Sequence, residues 1–385
     1  AKIPLDKDTG KPKFPENDAE NGYVNQFFVT LWAQEDKLAV CERLQKQGSP
    51  HVGEATVFVS WFLDTPIATL LDALANFLKE KGLREEDTFF WVCDYVIRQT
   101  DVKTDLKWLG DCVSAVGHTV LLMEPWNDPL PLKRAYCIKE VYHTQASGAA
   151  FDVVMSTEQQ AAFEVALVED FDSVRAGVSR VDVRQAECRN EEDQNRILSE
   201  LEQNVGFTEC NKLVIGLLRE ALVIQAQAAL RRLPEAERGT SVLLSKIGEL
   251  MQGMGRRKEA RPLLEEALQG RRETLGNRNI HTQTSMSVLA ALLKDMGHLE
   301  EARPLREEDL QASRETPGNR DPGTLNLIYF LAKLLEAQGK LVEAIPLFTE
   351  ELEGWVLLYG MEHQETRGAA KRVVSNLRKV GQQEK

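Results

Sequence analysis

Between residues 55 and 156, short apolar runs alternate with amphipathic segments. Ala55 to Trp61 (ATVFVSW) is β-rich, and Thr65-Pro66 then predicts a helix start, with threonine as N-cap and proline in the first turn. Ile67, Leu70, Leu71, Leu74, Phe77 and Leu78 form one stripe of that helix, which is expected to stop at Gly82. The alternation continues with a strand at Asp87 to Val96, a helix at Asp105 to Gly117, a strand at His118 to Trp126 and a helix at Leu130 to Gly148. Phe151 to Ser156 is a further strand, followed by a helix with Ser156 and Gln159 at capping-box spacing, and Val178 to Val183 is the candidate fifth strand. Strands that are apolar on both faces and alternate with helices predict a parallel sheet covered on both sides.

After Ala186 the strand pattern stops. Glu187 to Val205 and Thr208 to Leu233 read as two long helices, and a strict repeat follows. Glycine recurs every 42 residues at 255, 297, 339 and 381. Ala260, Ala302 and Ala344 keep the same step, as do Pro262, Pro304 and Pro346, then Leu268, Leu310 and Leu352, then Gly276, Gly318 and Gly360. Each unit reads as a first helix (such as Ser287 to Met296), a turn at the glycine, and a second helix with a small alanine for close approach and a proline in its first turn. One such hairpin cannot bury its apolar face, so the units are expected to stack as a solenoid closed by a divergent cap over Ala369 to Lys385.

Composition agrees with folded domains: of 385 residues, 43% are hydrophobic and 28% charged. The net charge of -13, with no Lys/Arg run, argues against nucleic acid and anionic membranes as partners. No apolar stretch approaches the length of a transmembrane helix, so no membrane insertion is expected. Six scattered cysteines, with no C-x-x-C pair and no His at ligand spacing, predict no metal site. They also fit reduced thiols in an intracellular compartment, the cytoplasm first and an organelle as the alternative. Residues 1–22 are polar and proline-bearing, and are expected to lie as an extended arm on another surface.

The wording LLKDMGHLEEARPL and LLEAQGKLVEAIPL, with the link LGNRNIHT, resembles the tetratricopeptide repeats of kinesin light chains over Leu243 to Lys385. That resemblance implies an all-α TPR solenoid and protein partners, gripped in the family by a groove of asparagines on the first helices. Here Ser287 and Val288 hold the corresponding places in one repeat and Tyr329 and Phe330 in the next, so an apolar contact through these four residues is expected instead. Packing of Tyr329 and Phe330 against a neighbouring helix is the alternative.

Val57-Phe58-Val59-Ser60-Trp61 with Asp64-Thr65-Pro66, and Arg134-Ala135-Tyr136-Cys137-Ile138-Lys139-Glu140-Val141 after the third strand, resemble the first-strand and S-x-W-C-L-x-E-L motifs of TIR domains. Related wording precedes such repeats in algal and protist proteins. The resemblance implies a flavodoxin-like parallel sheet and carries the catalytic glutamate of NAD-cleaving TIR enzymes onto Glu140, with Trp61, Asp64 and Thr65 near the cofactor. His118, and His143 beyond Glu140 on its helix, are weaker acid-base candidates.

The expected organisation is thus an arm (1–22), a helical segment (23–54), a TIR-like α/β domain (55–185), a helical bridge (186–242) and a TPR solenoid of three repeats plus cap (243–385). The expected function is a non-catalytic adaptor or structural subunit of a larger assembly, without cofactor, docking through the solenoid and the arm. The alternative is an NAD+ nucleosidase regulated by its repeats.

Overall fold

The computed structural model describes residues 37–97, 102–177, 181–188, 190–316 and 318–383. The arm expected over residues 1–22, and residues 23–36 of the segment after it, lie outside the described residues. The chain divides into two compact units between Gln225 and Ala226.

The first unit opens with helix α1 (Val40–Lys46) and is built on four parallel strands in the order β2-β1-β3-β4. β1 (Val57–Ser60) pairs with β2 (Phe90–Val92) and with β3 (His118–Leu122), and β3 pairs with β4 (Ala150–Val154). This is the doubly wound order in which a crevice opens between β1 and β3 at the carboxyl ends of the strands. Both faces of β1 are buried. Val57, Val59 and Trp61 pack with Leu70, Ala73, Leu74 and Phe77 of α2 (Ile67–Lys81), whereas Phe58 stacks on Trp91 against Leu109 and Val113 of the opposite face.

Several predicted elements take a different form. Pro66, not Thr65, occupies the N-cap of α2, and Leu71 is exposed on the far side of the helix. The strand expected over 87–96 shrinks to three residues, because the chain turns into α3 (Cys93–Val96) beyond Val92. As the sheet edge, β2 has a ladder on one side only, so nothing extends the pairing. After α4 (Val102–Asp105), the next helix begins as a 3-10 turn at Leu106–Trp108 and becomes α5 (Leu109–Val116). The helix expected from Leu130 breaks at Arg134, where Ala135 N–H donates to the Glu187 carbonyl and Glu187 N–H to that of Lys133. α6 therefore starts at Ala135 and runs to Ser147. Ser156 caps α7 (Thr157–Glu169) by accepting from Gln159 N–H. α8 (Phe171–Gly177) follows. In the expected fifth strand, residues 178–180 lie outside the described residues. Val183 opens a 3-10 helix instead, its N–H taken by Asn211 Oδ1 and the next by Asp182, bonds that compete with a strand ladder.

α9 (Glu191–Asn204) and α10 (Phe207–Arg232) are the two long helices. α10 corrects the reading that no segment has transmembrane character. It is long and apolar enough to cross a membrane by length and composition, and half of its most apolar stretch is buried. Arg219 and Glu220 interrupt its apolar run, while Cys210, Val214, Leu218 and Leu222 are buried, as befits a core helix.

The second unit holds α11 (Glu235–Arg238) and then the repeats. α12 (Val242–Gly253) pairs with α13 (Arg257–Leu275), α14 (Ile280–Asp295) with α15 (Leu299–Glu315), α16 (Pro322–Ala337) with α17 (Leu341–Tyr359), and α18 (Gln364–Gln383) comes last. Gly255, Gly297 and Gly339 turn each hairpin with φ of 80°, 81° and 75°, a left-handed conformation that L side chains adopt only under strain. Gly381 departs from the pattern, since it lies inside α18 and no turn forms there. The prolines sit one turn deeper than expected, as the sixth residue of α13, α15 and α17, because these helices begin directly after the turn. The carbonyls they leave without a helical donor belong to Lys258, Glu300 and Val342. These residues are exposed, so solvent can supply the missing bonds.

Stacking is held by two ladders that keep the 42-residue step. Arg261 pairs with Glu301 and Arg303 with Glu343, while Arg272 pairs with Glu308 and Arg314 with Glu350, each arginine reaching the second helix of the next repeat.

Candidate functional site

Two places gather the residues singled out in the sequence. In the sheet unit, alternation along β1 turns Ser60 toward α6, where its hydroxyl donates to Glu140 Oε2 at 2.6 Å. One turn on, Thr144 donates to Thr119 of β3 at 2.8 Å, so α6 rests on β1 and β3 through a polar seam. Glu140 is only 7% exposed. Burial pushes its carboxyl up to about 7, against Ser60, Arg134 and Cys137, which all pull it down. Burial also pushes the neighbouring Cys137 thiol up, and its sulfur reaches the Trp61 carbonyl at 3.5 Å.

Trp61 and Thr65 are buried in the loop after β1, and Trp61 Nε1 and Thr65 Oγ1 have no hydrogen-bond partner. Asp64 between them is exposed. The histidines lie elsewhere. His118 bonds Asp152 Oδ2 at 2.9 Å at the amino end of the sheet, and the His143 ring packs over Gly110 of α5. None of the six cysteines is in a disulfide, and no group of three His, Cys, Asp or Glu side chains among the described residues could hold a metal ion.

In the solenoid, the first helices place the four other candidates in two adjoining columns. Ser287 of α14 is committed inward, donating to Asp309 Oδ2 at 2.6 Å and accepting from Arg306 Nη1 at 2.8 Å. Val288 is half-buried. Tyr329 of α16 packs against the cluster around Ile328 and Phe348, with the Arg372 guanidinium 4.6 Å from its ring centre. Phe330 is 44% exposed, and the Arg306 guanidinium lies 4.9 Å from its ring centre. The structure thus divides the pair. Tyr329 is largely core and Phe330 presents a surface.

Arg306 and Arg372 were not legible as site residues, although Arg372 lies one 42-residue step from Phe330. Each arginine answers a buried acid, Arg306 beside Asp309 and Arg372 on Glu351, and these two acids are themselves 42 residues apart. Burial keeps both carboxyls above their ordinary range despite those cations. What this face presents is therefore the exposed Phe330 ring resting on a buried guanidinium, a surface suited to apolar or aromatic contact.

No curated protein matches the chain. One solved structure, the crystal structure of BtubC (BKLC) from P. vanneervenii, aligns at 16% identity over 58% of this chain and 92% of that one. Its TM-score of 0.31 is too low to inform fold or function. Residues 239–308 and 281–355 match the tetratricopeptide repeat family, so the C-terminal unit carries TPR repeats, a scaffold for protein–protein interaction.

Proposed function

We propose that the protein is an adaptor or structural subunit of a larger assembly, holding a protein partner on the first-helix face of its solenoid at Phe330. The observation that carries this is an exposed aromatic ring already stacked on a partly desolvated guanidinium. Such a surface loses little side-chain entropy on binding and is typical of interface anchors. The test is co-purification from the native source with Phe330→Ser. Loss of a partner with an unchanged melting temperature supports the reading, and full retention overturns it. Tyr329→Ser is the wrong probe, because its partly buried ring packs against the core cluster.

A second reading, an NAD+ nucleosidase, is favoured by Glu140 at the carboxyl end of β1 with its pKa near neutrality. The unpartnered Trp61 Nε1 and Thr65 Oγ1 are donors that a polar ligand could satisfy. A carboxylate there would stabilise the oxocarbenium-like ribose left by nicotinamide. With Glu140 bonded to Ser60 and 7% exposed, this reading requires the 61–66 loop to open. Nicotinamide release that is lost in Glu140→Gln supports it, and no release from wild-type protein under clustering conditions overturns it.

A further inference from the structure

The end of β1 and the residues after it meet α6 in three successive rungs. Ser60 bonds Glu140, the Trp61 carbonyl receives the Cys137 thiol at 3.5 Å, and the Arg134 guanidinium lies 5.6 Å from the centre of the Phe62 ring. The rungs run in opposite directions along the two segments, so each lies further beyond the strand than the last. Arg134, at the head of α6, stands about 9 Å along the helix axis from Glu140. Phe62 and Arg134 thus form the outer rung of the crevice that opens at the carboxyl ends of β1 and β3.

Arg134 is half-buried, and no carboxylate among the described residues lies within salt-bridge distance of it. The cations around it are already paired, Lys133 with Asp128, Lys139 with Glu200, Arg184 with Asp182 and Arg196 with Asp193. Acids are in surplus in a chain of net charge -13, yet none is set against Arg134. Burial raises the Glu140 carboxyl and the Cys137 and Cys188 thiols, and the Arg134 charge pulls all three down from a distance without bonding to them. A partly desolvated guanidinium, held by an aromatic ring and with no protein carboxylate on its fork, is preorganised for an oxyanion. The inner rung offers a hydroxyl and a carboxyl, groups that suit the hydroxyls of a sugar once the 61–66 loop opens.

We propose that Arg134 anchors the phosphate of a sugar-phosphate ligand at the mouth of this crevice, with the sugar directed inward to Ser60 and Glu140. The resemblance to TIR domains does not supply this anchor, because serine holds the place of Arg134 in their motif. The choice of crevice rests on the second reading above, while ligand binding is measured apart from that reading's reaction.

Ribose 5-phosphate and ribose are titrated into the full chain at fixed ionic strength and followed by calorimetry. Ribose 5-phosphate is expected to bind saturably and about tenfold or more tighter than ribose. Arg134→Met, which keeps an unbranched stem beside Phe62, should abolish that difference. Arg134→Gln repeats the test with the same expectation should the methionine variant fail to fold. Lys133→Met, whose lysine is already paired with Asp128, should leave the difference whole. Equal binding of the two sugars, no saturable binding of ribose 5-phosphate, or a phosphate preference that survives loss of the Arg134 guanidinium overturns the proposal. An equal loss in Lys133→Met would assign the preference to the general field of the surface and also overturn it. Nicotinamide release from nicotinamide mononucleotide with a KM unchanged by Arg134→Met upholds the nucleosidase reading and overturns the anchor. Phosphate-dependent binding that is lost in Arg134→Met, with no nicotinamide release from wild-type protein, does the reverse.

Discussion

Replacing Glu140 by glutamine isolates the effect of one buried carboxyl. In the folded protein its pKa is about 7, against an ordinary value of 4.5, and burial is the dominant cause. Because the folded pKa is raised, the native state binds more protons than the unfolded chain between those two values. Stability therefore falls as pH rises through that window and levels off above it. At about 1.4 kcal/mol per unit, the shift corresponds to on the order of 3 kcal/mol, an upper bound because the loop after β1 can relax. Glutamine keeps an acceptor for the Ser60 hydroxyl and removes the charge. The variant should match wild-type protein near pH 4.5 and exceed it at pH 8 by as much as that amount. Urea melts at intervals across this range, followed by tryptophan fluorescence, give the difference directly. Other shifted groups of the sheet unit, including Asp152 and His143, cancel in that difference. A gap that does not grow with pH, or a variant less stable at pH 8, would refute the reasoning.

Arg372→Ala should cost about 2 to 4 kcal/mol in thermal or urea unfolding of the solenoid, because it strands the buried Glu351. The loss should shrink in acid, where Glu351 is neutral. By contrast, Arg303→Ala removes half-exposed pairs and should change unfolding by less than about 1 kcal/mol. Gly248→Ala should destabilise by about 1 to 3 kcal/mol, since its methyl would meet Leu264 at 2.6 Å, and equal stability would show that α12 and α13 separate freely.

The solenoid was the most legible part of the chain, because stacking constrains the same residue types at the same step. The turns at Gly255, Gly297 and Gly339 formed as the spacing implied. Gly381 shares the spacing without the turn, since composition at one position does not report whether a second helix follows it. The order of strands and helices was also readable. Their ends were not, because the residues flanking Arg134 bond the Glu187 backbone and the Val183 N–H bonds the Asn211 side chain, partners distant in sequence. For the candidate site, the sequence located Phe330 but could not separate it from Tyr329. Adjacent positions on a helix point about 100° apart, and only the packing shows which one meets the core. Glu140 was marked by resemblance alone. Its burial and its bond to Ser60, 80 residues away, are features of the sheet rather than of any local motif.

The docking face is tested most directly by site-specific photo-crosslinking in the full-length protein, with benzoylphenylalanine at position 330 and, as a control, at the exposed Val342 of α17. The account predicts a discrete crosslinked partner from position 330 and little or none from position 342. No crosslink at 330, or equal capture at both positions, would contradict it.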